Sequence, residues 1–184
     1  MQDRAESFRR GLFSLQTRRF GTSVEVLSDI FGDFDEPKSI HHDRTNPVNE
    51  NRVEVKGSKV LENNGQPITR SNLIQQCLDN DPESRPIAFE DRENKNWDCN
   101  IQQIKRVEFE ELYYVLFFRD KVCVFRIKSD EIAGGGINYS DKQHKGNEGE
   151  GQFHITNKNI NYHLENYLFA EYSYEAWMQL LEEE

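Results

Sequence analysis

Cysteine is scarce. Cys77, Cys99 and Cys123 are the only three in 184 residues. That number excludes a disulfide framework, and their spacing matches no metal-ligand pattern. The sequence therefore predicts buried thiols in a reducing cytoplasm. No apolar run approaches the roughly 18 residues of a membrane span, and the opening Met-Gln-Asp-Arg-Ala-Glu lacks the apolar core of a signal peptide. The expectation is a cytoplasmic protein with no membrane partner. Positive charge is also short, with 23 Lys and Arg against 33 Asp and Glu and a net charge of −10. The deficit is uneven, however. From Glu165 to Glu184 there are six acids and no Lys or Arg, whereas residues 1–20 hold five arginines against two acids. A nucleic-acid partner needs a local positive surface rather than a positive total, so the charge counts against such a partner without excluding one.

Apolar residues make up 35% of the chain and charged residues 30%. The apolar residues are clustered, which favours a folded domain with long polar loops over disorder. The length suits one domain, residues 1–184, with a sheet, helices on it and a core.

The most informative stretch is 43–60. Arg52 to Val60 alternates polar and apolar residues, so it reads as a strand. Gly57 interrupts it and marks a bulge or a close approach of another backbone. The strand period of two puts Glu54 and Lys56 on one face. A short hairpin brings Asp43 back beside Glu54. Two carboxylates and an ammonium at a hairpin end suit a hard cation such as Mg²⁺. The competing reading is that Glu54 and Lys56 form the solvated face of an ordinary amphipathic strand.

Asp43 followed by Glu54-Val55-Lys56, inside Arg-Val-Glu-Val-Lys-Gly-Ser, resembles the PD-(D/E)XK nuclease signature, particularly that of type II restriction endonucleases. His42 stands where the motif name has proline. The resemblance implies an α/β, restriction-endonuclease-like fold with a mixed central β-sheet flanked by helices. It implies Mg²⁺ held by Asp43 and Glu54, with Lys56 positioning or deprotonating the attacking water. It also implies double-stranded DNA as substrate, a homodimer matching a palindromic target, and no nucleotide cofactor. Glu25, on an early helix, occupies the place of a glutamate that joins the metal site in many such enzymes; the alternative is that it stabilises its own helix N-terminus. The first metal ligand stays open between Asp43, which abuts the hairpin, and Asp29, Asp33 or Asp35.

Helices are expected over 3–16 and from about Val24 to Phe31, separated by a turn at Gly21-Thr22-Ser23. Lys38 to Asp43 is the expected first strand of the hairpin, and Ser71 to Leu78 a short helix whose Leu73, Ile74, Cys77 and Leu78 are available for packing. Asn100 to Lys105 reads as a strand with Asn100, Gln102 and Ile104 on one face and Ile101, Gln103 and Lys105 on the other. Asn and Gln amides suit adenine edges and Lys suits guanine or phosphate, so Asn100, Gln102, Gln103 and Lys105 are candidate DNA contacts. The segment resembles the Asn-Ile-Gln-Gln-Ile-Lys stretch after the catalytic hairpin in some restriction enzymes. Phe109–Phe118 and Val122–Ile127 read as a buried hairpin.

Residues 134–158 are glycine-rich and read as a mobile loop that contacts DNA through Lys142, Gln143, His144, Lys145 and Asn147. Gln152 to Thr156 returns as a strand, and helices are expected over Ile160–Phe169 and Tyr174–Leu181. Two other functions remain open: a repair or junction-cleaving nuclease with the same chemistry, and a non-catalytic acidic partner or DNA mimic.

Overall fold

The computed structural model describes residues 2–63, 66–134, 136–142 and 148–183. In chain order its elements are α1 (Gln2–Ser14), α2 (Thr17–Leu27), β1 (Arg44–Thr45), β2 (Arg52–Lys59), α3 (Leu73–Leu78), β3 (Asp98–Ile104), β4 (Glu111–Phe117), β5 (Val122–Lys128), β6 (Tyr139–Lys142), β7 (Glu148–Thr156), α4 (Ile160–Tyr167), β8 (Leu168–Tyr172) and α5 (Tyr174–Glu182). A mixed five-stranded sheet runs β1-β2-β4-β5-β8, and a three-stranded antiparallel sheet runs β3-β7-β6. Within the five-stranded sheet β2 and β4 are parallel and the other described pairs antiparallel. No helix among the described residues is long and apolar enough to cross a membrane.

The expected hairpin β4–β5 is the centre of the fold. Both strands are near-continuous apolar runs because both faces of their sheet are covered. On one face Tyr113, Val115, Phe117, Val122 and Val124 pack against residues of α1, α2 and α5, including Phe20, Val24, Leu27 and Trp177. On the other, Leu112, Tyr114, Leu116, Cys123 and Phe125 meet Cys99, Ile101, Phe153 and Ile155 of the second sheet. The molecule is thus layered as helices, mixed sheet and small antiparallel sheet, with a core on either side of β4 and β5.

Several local expectations are corrected. Gly21-Thr22-Ser23 lies inside α2 rather than in a turn. The stripe Phe20, Val24, Leu27 runs straight through it, and Ser23 Oγ bonds back to the Arg19 carbonyl at 2.9 Å. Lys38–Asp43 is not a strand. Ile40 is 97% exposed, so the segment has no apolar face to bury, and His42 instead turns inward between Ser39 Oγ at 3.2 Å and Thr45 Oγ1 at 3.3 Å. Helix α3 buries none of its residues, so Leu73, Ile74, Cys77 and Leu78 are not core, and Cys77 is an exposed thiol beside the buried Cys99 and Cys123. The helix expected to reach Phe169 stops at Tyr167, and Leu168–Tyr172 joins β5 as an edge strand.

The expected mobile loop 134–158 is largely a β-ribbon. β7 is the middle strand of the second sheet, with β6 on one side and β3 on the other. The glycines that suggested a loop make room for a ring, since a Cβ on Gly151 would lie 2.0 Å from the Tyr139 hydroxyl. Gly151, Phe153 and Ile155 alternate on one face, and the latter two are fully buried. Lys142 is an exposed residue of β6. Gln143, His144, Lys145 and Asn147 lie outside the described residues.

Candidate active site at the open edge of β2

The site forms where β1 ends. This two-residue strand pairs with Arg52 and Val53, so among the described residues no strand pairs with that edge of β2 from Glu54 onward. Asp43 closes the first gap in the ladder. Its backbone N–H donates to the Val53 carbonyl at 3.0 Å, and its Oδ2 accepts the Val55 N–H at 2.9 Å. A side-chain oxygen thus stands where the next backbone carbonyl of a longer strand would be. This fixes the Asp43 carboxylate beside Glu54 and Lys56, which project from β2 on the face toward the second sheet. Lys56 Nζ donates to Glu54 Oε1.

Glu25 arrives from the opposite layer, and Gly57 permits it. A Cβ at Gly57 would lie 2.6 Å from Val24 Cγ2 and 2.9 Å from Val24 Cγ1. The position is therefore a close approach of α2 to β2, not a bulge, since the β2–β4 register runs unbroken through it. With Val24 seated on Gly57, the next residue, Glu25, reaches around the bare edge of β2. Arg44 locks this arrangement: its guanidinium donates to Asp29 Oδ1 at 3.0 Å, to the Asp43 carbonyl at 2.9 Å and to the Glu25 carbonyl at 3.1 Å. Asp29 is therefore engaged with Arg44. Asp35 stands in a backbone bridge to Thr45, and Asp43 is the early aspartate at the cluster.

Gly57→Ala is expected to destabilise the protein by about 1–3 kcal/mol, because Val24 is buried and has nowhere to move. Gly21→Ala offers the contrast: nothing lies within 4 Å of its Cβ, and it is expected to stabilise helix α2 by up to ~1 kcal/mol. Urea denaturation checks both, and equal midpoints for the two variants would contradict this account.

The electrostatics register the crowding. Burial pushes the Glu54 carboxyl up to about 7, with Asp43 and Glu108 adding to the rise and Lys56 opposing it. Glu25 is also raised, first by burial and then by Asp43. Burial alone would lower Lys56, yet Glu54, Asp43 and Glu25 together hold it above the ordinary lysine value. Asp43 and Lys56 therefore each act on both Glu25 and Glu54, although three chain segments supply the four residues.

Gln103 completes the cluster, and its position corrects the expected faces of β3. The β3–β7 register shifts between Gln102 and Ile104, and Gln103 has φ of +60°. This bulge puts Ile104 on the buried side with Cys99 and Ile101 and leaves both Gln102 and Gln103 exposed. Left-handed backbone at a residue other than glycine costs about 1–2 kcal/mol, and bulges of this kind re-aim side chains. Here Gln103 stands between two concavities. One, of about 250 Å³, is lined by Asp43, Glu54, Lys56, Lys105, Glu108 and Gln103, among others. The other, of about 520 Å³, lies between α2 and β3 and includes Arg18, Glu25, Lys56, Asn100, Gln102 and Gln103.

The remaining expected contacts divide. Asn100 Nδ2 donates to Gln152 Oε1 at 3.0 Å, so its amide donor is engaged across the ribbon. Lys105 pairs with Glu108 at 3.6 Å. Lys142 lines neither concavity. Sequence reasoning missed Glu108, which sits in a turn with no pattern to mark it, and Arg44, whose only signal is that it follows Asp43.

No three His, Cys, Asp or Glu side chains among the described residues are grouped closely enough to hold a metal ion between them. A pair of neighbouring carboxylates, Asp43 and Glu54, does fit Mg²⁺, which uses one or two carboxylates and fills its shell with waters and phosphate oxygens. The chain matches no protein-family model, no curated protein and no solved structure.

Proposed function

We propose that the protein is a Mg²⁺-dependent double-stranded DNA endonuclease of the restriction type, with the open edge of β2 as its active site and a restriction-endonuclease-like core around it. The observation that supports it is the convergence of Glu25, Asp43, Glu54 and Lys56 at one strand edge. An ordinary solvated strand face has no need of two carboxylates brought from elsewhere to crowd its own glutamate and lysine. A DNA mimic would spread its acids over one continuous surface, whereas here they surround a half-buried ammonium.

Asp43 and Glu54 would hold the Mg²⁺, and Glu25, across Lys56 in the adjoining groove, would help order its waters. The bound cation would supply Lewis-acid stabilisation of the charge that builds on the phosphate and the leaving oxygen. Asp43 is oriented by its bond to the Val55 N–H, so its carboxylate is preorganised rather than free to rotate. Lys56 directs its ammonium at the same spot, where it would position the attacking water and offset charge on a non-bridging phosphate oxygen. Gln103, Gln102 and Lys105 would face the DNA. One chain carries one such cluster, so cutting both strands of a palindromic target would call for a homodimer.

Incubation of the purified protein with unmethylated phage DNA, with Mg²⁺ or with EDTA, tests the reading. Discrete fragments are expected only with Mg²⁺, and Glu54→Ala is expected to abolish them. Fragments from branched but not linear DNA would move the assignment to a repair or junction nuclease. An intact DNA population under every condition would sink the nuclease reading and leave an acidic interaction protein.

A further inference from the structure

We infer that the groove between α2 and β3 seats the DNA strand next to the cleaved bond, with Arg18 holding a backbone phosphate there; the inference rests on the nuclease reading above. The groove is continuous with the carboxylate concavity, because Lys56 and Gln103 belong to the walls of both. A strand whose scissile phosphate lies at Lys56 must leave along a path that the two concavities share.

The two differ sharply in charge. Asp43, Glu54, Glu108 and Glu150 line the carboxylate side against Lys56 and Lys105, so acids outnumber cations there two to one. The groove has one acid, Glu25, against the cations Arg18 and Lys56. A polyanion approaching four carboxylates is repelled, and a flanking positive site offsets that repulsion.

Arg18 is the side chain suited to do this. It is exposed on the first turn of α2. Among the described residues Arg4, Arg9, Arg10, Arg44, Arg52, Arg92 and Arg126 all stand within 4.0 Å of a carboxylate. No such pair is formed there by Arg18, Arg19, Arg70, Arg85, Arg106 or Arg119, and of these six it is Arg18 that lines the groove. Its planar guanidinium can donate two parallel bonds to one phosphate. The exposed amides of Gln102 and Gln103 on the opposite wall then meet base edges, so that Arg18 sets the register in which they read.

Fluorescence anisotropy of a labelled duplex, with Ca²⁺ replacing Mg²⁺ to hold off cleavage, tests this in the full chain. Binding is followed between about 50 and 200 mM salt. Arg18→Ala is expected to weaken binding and to reduce the slope of log K against log salt by about 0.9, the loss of one neutralised phosphate. Arg19→Ala, the neighbouring cation outside the groove, is expected to change the slope less. Neutralising the phosphate next to the cleaved bond with a methylphosphonate should weaken the wild type but not further weaken Arg18→Ala. An unchanged slope in Arg18→Ala, with wild type binding and cutting the duplex, overturns the inference alone. A wild type that binds no duplex overturns the nuclease reading and this inference with it.

Discussion

Lys56→Met is expected to lower DNA cleavage by about 10²–10³-fold or more while the protein stays folded. Removing one preorganised charge donor from a water-poor site costs about this much in other hydrolytic enzymes. The Lys56 side chain is 24% exposed and its carboxylate partner Glu54 12% exposed, so the ammonium acts in surroundings where water screens it weakly. Methionine keeps most of the buried stem and so the packing along β2. Single-turnover cleavage with enzyme in excess isolates the chemical step, and duplex binding in Ca²⁺ serves as the check on folding. Cleavage within tenfold of wild type would mean that Lys56 does no more than neutralise Glu54.

The second large effect concerns acid stability and arises on the other side of β4, where Tyr114, the ladder partner of Lys56, meets α4. His163 on α4 is fully buried, and a 2.9 Å hydrogen bond joins its Nδ1 to the Tyr114 hydroxyl. Rings of Tyr114, Phe125, Phe153, Tyr162 and Tyr167 surround it. Its Nε2 has no hydrogen-bond partner among the described residues. Burial pulls the imidazole down to about 4, against roughly 6.5 in an unfolded chain. Between those values the unfolded state binds the proton and the folded state does not, so stability falls as the pH falls. The contribution is fully present above about 6.5 and is lost progressively down to about 4, amounting to about 3 kcal/mol from this group. Replacing both partners with apolar rings, in His163→Phe with Tyr114→Phe, removes the titration without stranding a polar atom. Urea denaturation at neutral pH and near pH 4.5 should show the wild type losing more stability than the double variant. Equal losses would place the acid sensitivity elsewhere.

The sequence made visible those parts of the fold that repeat. The apolar runs of β4 and β5 announced a strand pair buried on both faces, and the alternation in β2 placed Glu54 and Lys56 together. Gly57 signalled either a bulge or a close approach, and the side chain that decides between them, Val24, was hidden. What the sequence hid depended on partners distant in the chain. Ile104 obeys its burial rather than its parity, because the bulge at Gln103 answers the register of β7. Gly149 and Gly151 looked like loop residues because the ring that Gly151 accommodates, Tyr139, belongs to another strand. Asp43 was read as the end of a strand, but its side chain does the work of one, by capping the edge N–H of Val55. The carboxylate cluster was therefore legible as a set of residues, while the open strand edge that gathers them was not.

The parallel pairing of β2 with β4 also sets a timetable. Val53 lies against Glu111 and Lys59 against Phe117, so β2 gains its inner neighbour only after the whole intervening segment exists. Long-range pairing of this kind is slow to form, since the loop must close before any contact repays it. At ribosomal speeds of roughly 5–20 residues per second, several seconds separate the synthesis of the two strands. A nascent chain that ends before Glu111 carries Glu25, Asp43, Glu54 and Lys56 but lacks β4, the strand against which β2 is laid.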